Sequence, residues 1–453
     1  MKRLMRMLGI LTVLAGLFLR ELLVLAEDPP LSASIKNDLS SEIDQRATKV
    51  ESKVIAWRRD IHQNPELGNR EVRTAKLVAD HLRTLGLEVQ TGVAHTGVVG
   101  LLRGEKPGPV VALRADMDAL PVAEEVTVPF ASKVKSTYNG QEVGVMHACG
   151  HDTHTAILMG VAEILSGLKP QLPGSVKFIF QPAEEGPPTG EEGGAALMIK
   201  QGVLENPKPD AIFGLHVTPS IETGKIAYRS GPFLASGDML HIGVRGQQTH
   251  GAAPWRGIDP IVVTSQIVLG LQTIESRQVD VTKEPSIITI GSIHGGVRFN
   301  IIPDFVEMDG TIRTFDEEMR TDIHQRIKTT AEMIAKSAGA SAEVKIDKIY
   351  SVTINHAGLT EQAVPTLIKV ASGENVNVGP KLTASEDFSE YQKKIPGFYF
   401  FIGVTPKGTD VSKAALNHSP RFFVDESGLL LGVRSLAHLT VDYMAVKQTR
   451  PQQ

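Results

Sequence analysis

A chain of 453 residues exceeds what one ordinary hydrophobic core holds, so two domains are expected. With 42% hydrophobic and 22% charged residues, a net charge of −4 and no basic run in its body, it reads as a soluble globular protein without a surface for nucleic acid. A single cysteine excludes an intramolecular disulfide framework.

Residues 1–26 read as a signal peptide. A basic start precedes an apolar run from Met7 to Leu19, and small residues at Val24 and Ala26 suit cleavage after Ala26. The run is shorter than the ~20 residues of a spanning helix, and Arg20-Glu21 interrupts it, so no stable membrane span is expected after cleavage. Export to a periplasm or to the medium follows, and an oxidising compartment threatens an idle thiol. That favours a task for Cys149.

Residues 27–45 read as a loose polar linker, with an amphipathic pattern setting in at about Ser40. A large α/β domain is expected over residues 46–229 and 351–447. Two helices end near Leu67 and Gly86, and short apolar runs follow: "LEVQTGV", "GVVGLL", "PVVALRA", "SVKFIFQPA" and "DAIFGLHV". Several are continuous rather than alternating, as for strands covered on both faces, and helix-like segments such as "HTAILMGVAEILSGL" lie between them. Over residues 230–350 the order becomes β-α-β-β-α-β, which closes as a four-stranded antiparallel sheet with two helices on one face. This small domain interrupts the large one, whose pattern resumes with "GFYFFIGV" and a terminal helix.

The polar residues hardest to explain structurally stand where apolar runs stop. Asp116 and Asp118 end one run, Glu184-Glu185 another and His216 a third; Cys149 and His151 flank Gly150, and His418 precedes the terminal helix. In open α/β sheets ligands bind at the carboxyl ends of strands, so these groups are placed to converge. Taken singly, His216 suits an ordinary core or surface position, Asp116 and Asp118 a cap, and Glu184-Glu185 a solvated loop. Jointly, thiolate, imidazole and carboxylate form the donor set of zinc and related ions. Zn, Mn, Co and Ni suit it, Ca and Mg do not, and the number of donors suggests more than one ion. Adjacent glutamates allow one carboxylate to hold metal while the other acts as general base toward a water acidified towards ~7, equipment for hydrolysing an amide or ester. Cys149 between His147 and His151 also admits a thiol nucleophile, and a degenerate site a non-catalytic binder of acyl-peptides.

The segments "RADMDALP", "MHACGHDTHTA", "QPAEEG", "GLHV", "HGAAPW" and "NHSP", in this order, closely resemble the hippurate-hydrolase group of metallopeptidases and amidohydrolases, with a match running from about Val54 to Ala445. The resemblance implies a zinc-exopeptidase-like catalytic α/β sandwich with a mixed central sheet, and an inserted ferredoxin-like split-βαβ lid through which a homodimer forms. It implies two divalent ions on Cys149, His151, Glu185, His216 and His418, with Glu184 as general acid/base and Asp118 orienting a ligand imidazole. Asp116 falls where many relatives outside this group carry a ligand histidine, and stays unassigned. In the lid, His250 matches a histidine that stabilises the oxyanion or substrate carboxylate, in some relatives from the neighbouring subunit. Asn300 and Arg313 match positions that hold the substrate's carboxylate, although a strand-edge ion pair suits Arg313 equally. Trp255 replaces a histidine of many members, and Ser385 to Tyr391 matches a substrate-side loop. The implied activity is metal-dependent cleavage of the N-acyl amide bond of an acylated amino acid or small peptide. Metallo-dipeptidase or carboxypeptidase action is the near alternative.

Overall fold

The computed structural model describes the backbone of residues 31–448 and side chains from 39 to 447. The signal-peptide reading therefore lies outside the described residues.

Eight strands form a mixed sheet in the order Glu88–Val93, Gly97–Arg103, Pro173–Gln181, Lys106–Asp116, Ala211–Glu222, Gly397–Thr405, Ile226–Tyr228 and Val376–Val378. The four strands from Pro173–Gln181 to Gly397–Thr405 run parallel, and the first three in the order are joined by antiparallel pairings. Their side chains divide with period two between opposite faces. Phe398, Phe400 and Ile402 join one buried cluster with the helices Leu31–Gln63, Val72–Thr84, His151–Gly167, Ala357–Ala371 and Leu429–Gln448. Tyr399 and Phe401 face the opposite cluster, built with Ala195, Leu197, Met198 and Phe388. Burial on both faces explains why these strands read as continuous apolar runs. The terminal helix is apolar enough to cross a membrane, yet here it is mostly buried against the sheet.

One expectation is corrected at the amino end. The segment read as a linker through residue 45 is helical from Leu31. Leu39, Ile43, Ala47, Val50 and Val54 recur every three or four residues and are all buried, so this stripe packs onto the core well before residue 46.

Residues 237–350 form a separate four-stranded antiparallel sheet in the order Ser286–Gly295, Phe305–Thr314, Gly237–Arg245, Ser341–Tyr350. The helices Pro260–Arg277 and Glu317–Ser337 bury Ile267, Leu271, Ile274, Ile323 and Ile327 against Leu240, Ile242, Val244, Met308 and Ile312. Both helices start at a side-chain cap: Asp259 accepts from the amides of Ile261 and Val262, and Asp316 from Met319. This is the β-α-β-β-α-β order expected, with its own core.

A hairpin not foreseen in the sequence, Lys135–Tyr138 with Gln141–Gly144, turns through Asn139 and Gly140, both at positive φ (48° and 76°). An Asn-Gly pair is the residue choice for such a two-residue turn. The hairpin stands beside the strand ends described next.

Candidate active site

The parallel strands place their carboxyl ends side by side, with Asp116 opposite Gln181 and Arg114 opposite Gly214. Glu184 and Glu185 follow Gln181 in a tight turn whose Ala183 sits at φ +51°. Three contacts pin that turn. The Ala183 amide donates to Glu71 Oε1 at 2.9 Å, the Glu185 amide to Asp118 Oδ2 at 3.0 Å, and the Tyr350 hydroxyl to the Glu184 carbonyl at 2.7 Å. The cysteine loop enters the helix His151–Gly167 through Gly150 at φ +100°, where a Cβ would lie 2.2 Å from Val217 Cγ2. Only glycine allows that conformation and that approach together. His418, at φ +70°, donates its amide to the Ala148 carbonyl at 2.8 Å, and Asn417 Nδ2 donates to the Cys149 carbonyl at 2.9 Å. Two loops distant in sequence are thus stitched together.

The expected donors converge. Cys149 Sγ lies 3.4 Å from His216 Nε2, and His418 Nε2 lies 3.0 Å from Glu185 Oε1. His151 Nε2 is 3.8 Å from Glu184 Oε2 and 4.0 Å from Glu185 Oε1. Donor atoms of Cys149, His151 and His216 come within 4.8 Å of one another, as do those of Cys149, Glu185 and His418, and those of His151, Glu184 and Glu185.

Hydrogen bonds set the tautomers. His151 Nδ1 meets the Asp118 carbonyl at 2.9 Å and Oδ1 at 3.2 Å, and a carbonyl can only accept, so Nδ1 carries the proton. In the neutral imidazole Nε2 then presents a lone pair, and it is buried without a hydrogen-bond partner. His216 repeats the arrangement, donating from Nδ1 to the Val217 carbonyl at 2.7 Å and turning Nε2 to the thiol. The orphaned Nε2 of His151, the Nε2 atoms of His216 and His418, a thiol and carboxylates around one space are a donor set that a divalent cation satisfies.

Electrostatics agree. Burial opposes charge on His151, but Asp116, Asp118 and Glu185 outweigh it and raise its pKa to about 10. The same negative field favours any cation placed there. Burial, then Glu386, Glu185 and Asp387, push the Glu184 carboxyl well above the ordinary range. Burial and the neighbouring Glu185 and Glu184 push the Cys149 thiol up.

Several supporting residues went unassigned in the sequence. Arg114 is fully buried in the middle of an apolar strand, and its guanidinium reaches Asp116 Oδ2 at 2.6 Å, Asp387 Oδ1 at 2.7 Å, Gln181 Oε1 at 2.9 Å and Glu386 Oε1 at 3.0 Å. A charge inside "PVVALRA" was the available signal. Asp116 Oδ1 in turn holds His154 Nδ1 at 2.6 Å, and His154 Nε2 accepts from the Val217 amide at 2.9 Å. Both His154 nitrogens are engaged, which explains why a histidine inside the motif stands behind the donor cluster. Glu386 and Asp387 of the 385–391 loop reach Glu184, each offering an oxygen within 4.8 Å of the others.

The three lid residues lie in the inserted domain. His250 is exposed, on the short strand Thr249–His250 paired with Ile301–Ile302, and Gly251 donates its amide to the Asn300 carbonyl at 2.8 Å. Arg313 is half-buried in its sheet and bonds the Thr311 hydroxyl and the Ile312 carbonyl, and among the described residues it forms no ion pair. Among the described residues no hydrogen bond or ion pair joins His250, Asn300 or Arg313 to the donor cluster. Trp255 is exposed beside His250 on the turn Pro254–Arg256.

Comparison with known proteins agrees with this geometry. Residues 112–442 match the model of peptidase family M20/M25/M40. Thermostable carboxypeptidase 2 of Saccharolobus solfataricus is 43% identical over 410 residues, covering 90% of this chain and 99% of that protein. N-acetylcysteine deacetylase of Bacillus subtilis is 37% identical over 86% of this chain and 96% of its own length. A Bacillus subtilis crystal structure described as a dinuclear metal-binding peptidase of the M20 family superposes with a TM-score of 0.72 at 35% identity, covering 88% of this chain and 99% of that one. By the extent of these matches and by the fold, the chain belongs to the M20/M25/M40 family of peptidases.

Proposed function

We propose that the protein is a metal-dependent amidohydrolase that cleaves the amide bond of N-acyl amino acids or small peptides. The observation that carries this reading is the convergence of Cys149, His151, Glu185, His216 and His418 around one space, with Glu184 beside them. Those five residues hold two divalent ions of the Zn, Mn, Co or Ni type. When bound, such ions supply positive charge that polarises the scissile carbonyl and makes water acidic near neutral pH.

The chain's own residues do the rest. Glu184, raised above the ordinary carboxyl range, accepts the attacking water's proton and delivers it to the departing amine nitrogen. Asp118 orients His151 through Nδ1, and Arg114 holds Asp116, Glu386 and Asp387 in place behind the reacting groups. His250, Asn300 and Arg313 serve the substrate from the lid, which spans residues 230–350. Among the described residues neither His250 nor Asn300 bonds to the cluster within one chain, which favours delivery from a second copy in a homodimer.

A carboxypeptidase reading draws on the Saccharolobus solfataricus relative. It asks for the same bond, an amide next to a free carboxylate, with a peptidyl rather than a simple acyl donor. The apolar run from Met7 to Leu19 supports export, which amino-terminal sequencing of the mature protein tests.

The deciding experiment is hydrolysis of a panel of N-acyl amino acids and N-blocked dipeptides after chelation and re-addition of Zn, Mn, Co or Ni. Restored turnover supports the reading. Indifference to chelator transfers the chemistry to the Cys149 thiol and overturns it. Glu184→Gln is expected to retain metal and lose about 10²–10⁴-fold in kcat.

A further inference from the structure

A buried polar cluster lies behind the cysteine loop, and none of its members takes part in the chemistry above. His62, near the end of the helix Leu31–Gln63, is 2% exposed. Its Nδ1 lies 2.9 Å from Asp152 Oδ2, and its Nε2 lies 3.1 Å from Glu124 Oε1. Asp152 follows His151 in the first turn of the helix His151–Gly167. Glu124 belongs to the irregular segment 121–134, which touches both loops of the site. The Glu125 amide donates to the carbonyl of Pro420, just beyond His418, at 2.8 Å. The Ser132 hydroxyl donates to the carbonyl of Val145, just ahead of the cysteine loop, at 2.7 Å. A side chain from a third element thus joins this segment to the helix that presents His151.

We propose that His62 is a positioning residue for the metal site: as an imidazolium it clasps segment 121–134 to the first turn of the His151 helix, and the clasp opens on one side when the ring loses a proton. The inference rests on the metal-dependent reading above and adds a pH-sensitive support to it.

Hydrogen-bond chemistry carries it. A neutral imidazole has one N–H and one lone pair, whereas imidazolium donates from both nitrogens. Both nitrogens of His62 face carboxylate oxygens, so a neutral ring would turn its lone pair on one of them. Asp152 Oδ2 also accepts from Arg58 Nε at 2.8 Å, and Glu124 Oε2 accepts from the Ser132 amide at 2.5 Å. Each carboxylate is therefore placed as an acceptor.

The surrounding charges agree. Asp152 and Glu124 are the anions on the ring. Arg58, one turn back on the same helix, is spent on Asp152 and on Glu426 Oε1 at 3.1 Å, and Arg59 holds the other oxygen of Glu426. His147, with its ring 6.4 Å away, is kept neutral by burial, which lowers its pKa to about 3. Phe130 closes the cluster, edge-on to His62 with centroids 5.7 Å apart and 5.0 Å from the Arg58 guanidinium carbon. Burial opposes charge on His62, but Asp152 and then Glu124 outweigh it and raise its pKa. A raised folded value means that the clasp contributes fully below the ordinary histidine value of about 6.5 and is lost as pH rises through the folded one.

The test uses the full-length protein. With histidine labelled in ¹⁵N and zinc bound, the His62 ring is expected to show two bonded N–H groups at about pH 6.5, signals absent from His62→Gln. Zinc affinity is read by competitive chelator titration from about pH 6.5 upward. Loss of an orienting partner costs about 10–100-fold in affinity, so the parent is expected to exceed His62→Gln about tenfold at the acid end, with the ratio shrinking as pH rises. In Glu124→Gln the amide oxygen keeps the Ser132 amide while its nitrogen donates to the ring, so a neutral imidazole meets both partners. Its affinity relative to His62→Gln is expected to stay level with pH. Circular dichroism identifies a misfolded variant, and the other variant together with the parent's spectrum then decides. A single N–H on the parent ring at about pH 6.5, or a parent-to-variant ratio constant with pH, overturns the clasp and leaves the metal site standing. A parent that binds no zinc overturns the metal-dependent reading, and the clasp with it.

Discussion

The Tyr350 hydroxyl donates to the backbone carbonyl of Glu184 at 2.7 Å. Tyr350 ends the last strand of the inserted sheet, so the point where the chain leaves that sheet also touches the turn that carries both glutamates. The junction is close-packed, since a Cβ on Gly237 would lie 2.8 Å from Ser385 Oγ and 3.2 Å from Tyr350 Cδ2. Tyr350→Phe keeps the ring and deletes the bond. A stability loss of about 0.5–1.5 kcal/mol is expected, with a severalfold fall in kcat and unchanged metal content. Steady-state kinetics beside metal analysis checks this, and parent kcat in the variant shows that the turn holds without the bond.

Gly150→Ala tests the entry to the cysteine loop. The residue sits at φ +100°, and the added methyl would meet Val217 Cγ2 at 2.2 Å. A destabilisation of about 3 kcal/mol is expected from backbone strain and overpacking together, with reduced metal occupancy because Cys149 and His151 flank the site. Urea unfolding measures it; a loss under about 1 kcal/mol would mean that the loop relaxes freely.

Asp118→Ala removes the carboxylate that meets His151 Nδ1 at 3.2 Å and the Glu185 amide at 3.0 Å. Loss of such an orienting partner is expected to weaken metal binding about 10–100-fold. A competitive chelator titration reads this directly. Unchanged affinity would show that the Asp118 carbonyl alone sets the imidazole.

The inserted sheet carries its own pH-dependent element. Asp238 is buried and meets Arg320 Nε at 3.1 Å and His324 Nε2 at 2.8 Å. Burial raises its pKa, but the hydrogen bonds from His324 and Arg320 prevail and hold the carboxyl below 3.8. A depressed folded value means stability that is fully present above the unfolded carboxyl pKa and is lost as pH falls through the folded one. Parent and Asp238→Asn melting temperatures are therefore expected to differ most near neutral pH and to converge below about pH 4. A gap that stays constant into acid would rule out the carboxylate as its source.

Much of the architecture was legible because burial leaves a periodic mark. Gly97 to Leu102 read as a strand covered on both faces, and the β-α-β-β-α-β order of the insert was visible from its alternating segments. The helix from Leu31 was misread because the polar composition ahead of Ser40 hides a buried stripe that begins at Leu39 and continues through Ile43 and Ala47. The cap residues Asp259 and Asp316 were present in the sequence, but their acceptor role needs the backbone that they close.

For the site, the amino-acid order by itself determined the donor types and their places at strand ends, because thiolate, imidazole and carboxylate beside Gly150 carry their chemistry wherever they fold. Only the tertiary structure decided which of them share a space and which nitrogen of each imidazole is free. His151 and His154 are three residues apart on one helix, yet one points a bare Nε2 into the cluster while the other spends both nitrogens on Asp116 and Val217. That difference arises from contacts between segments far apart in the chain, which no local pattern encodes. Arg114 likewise is a single charge in an apolar strand of the sequence, and two other segments bring Gln181, Glu386 and Asp387 to it. A buried guanidinium is stable only where partners from elsewhere in the fold satisfy it, so its role exists only in the folded molecule.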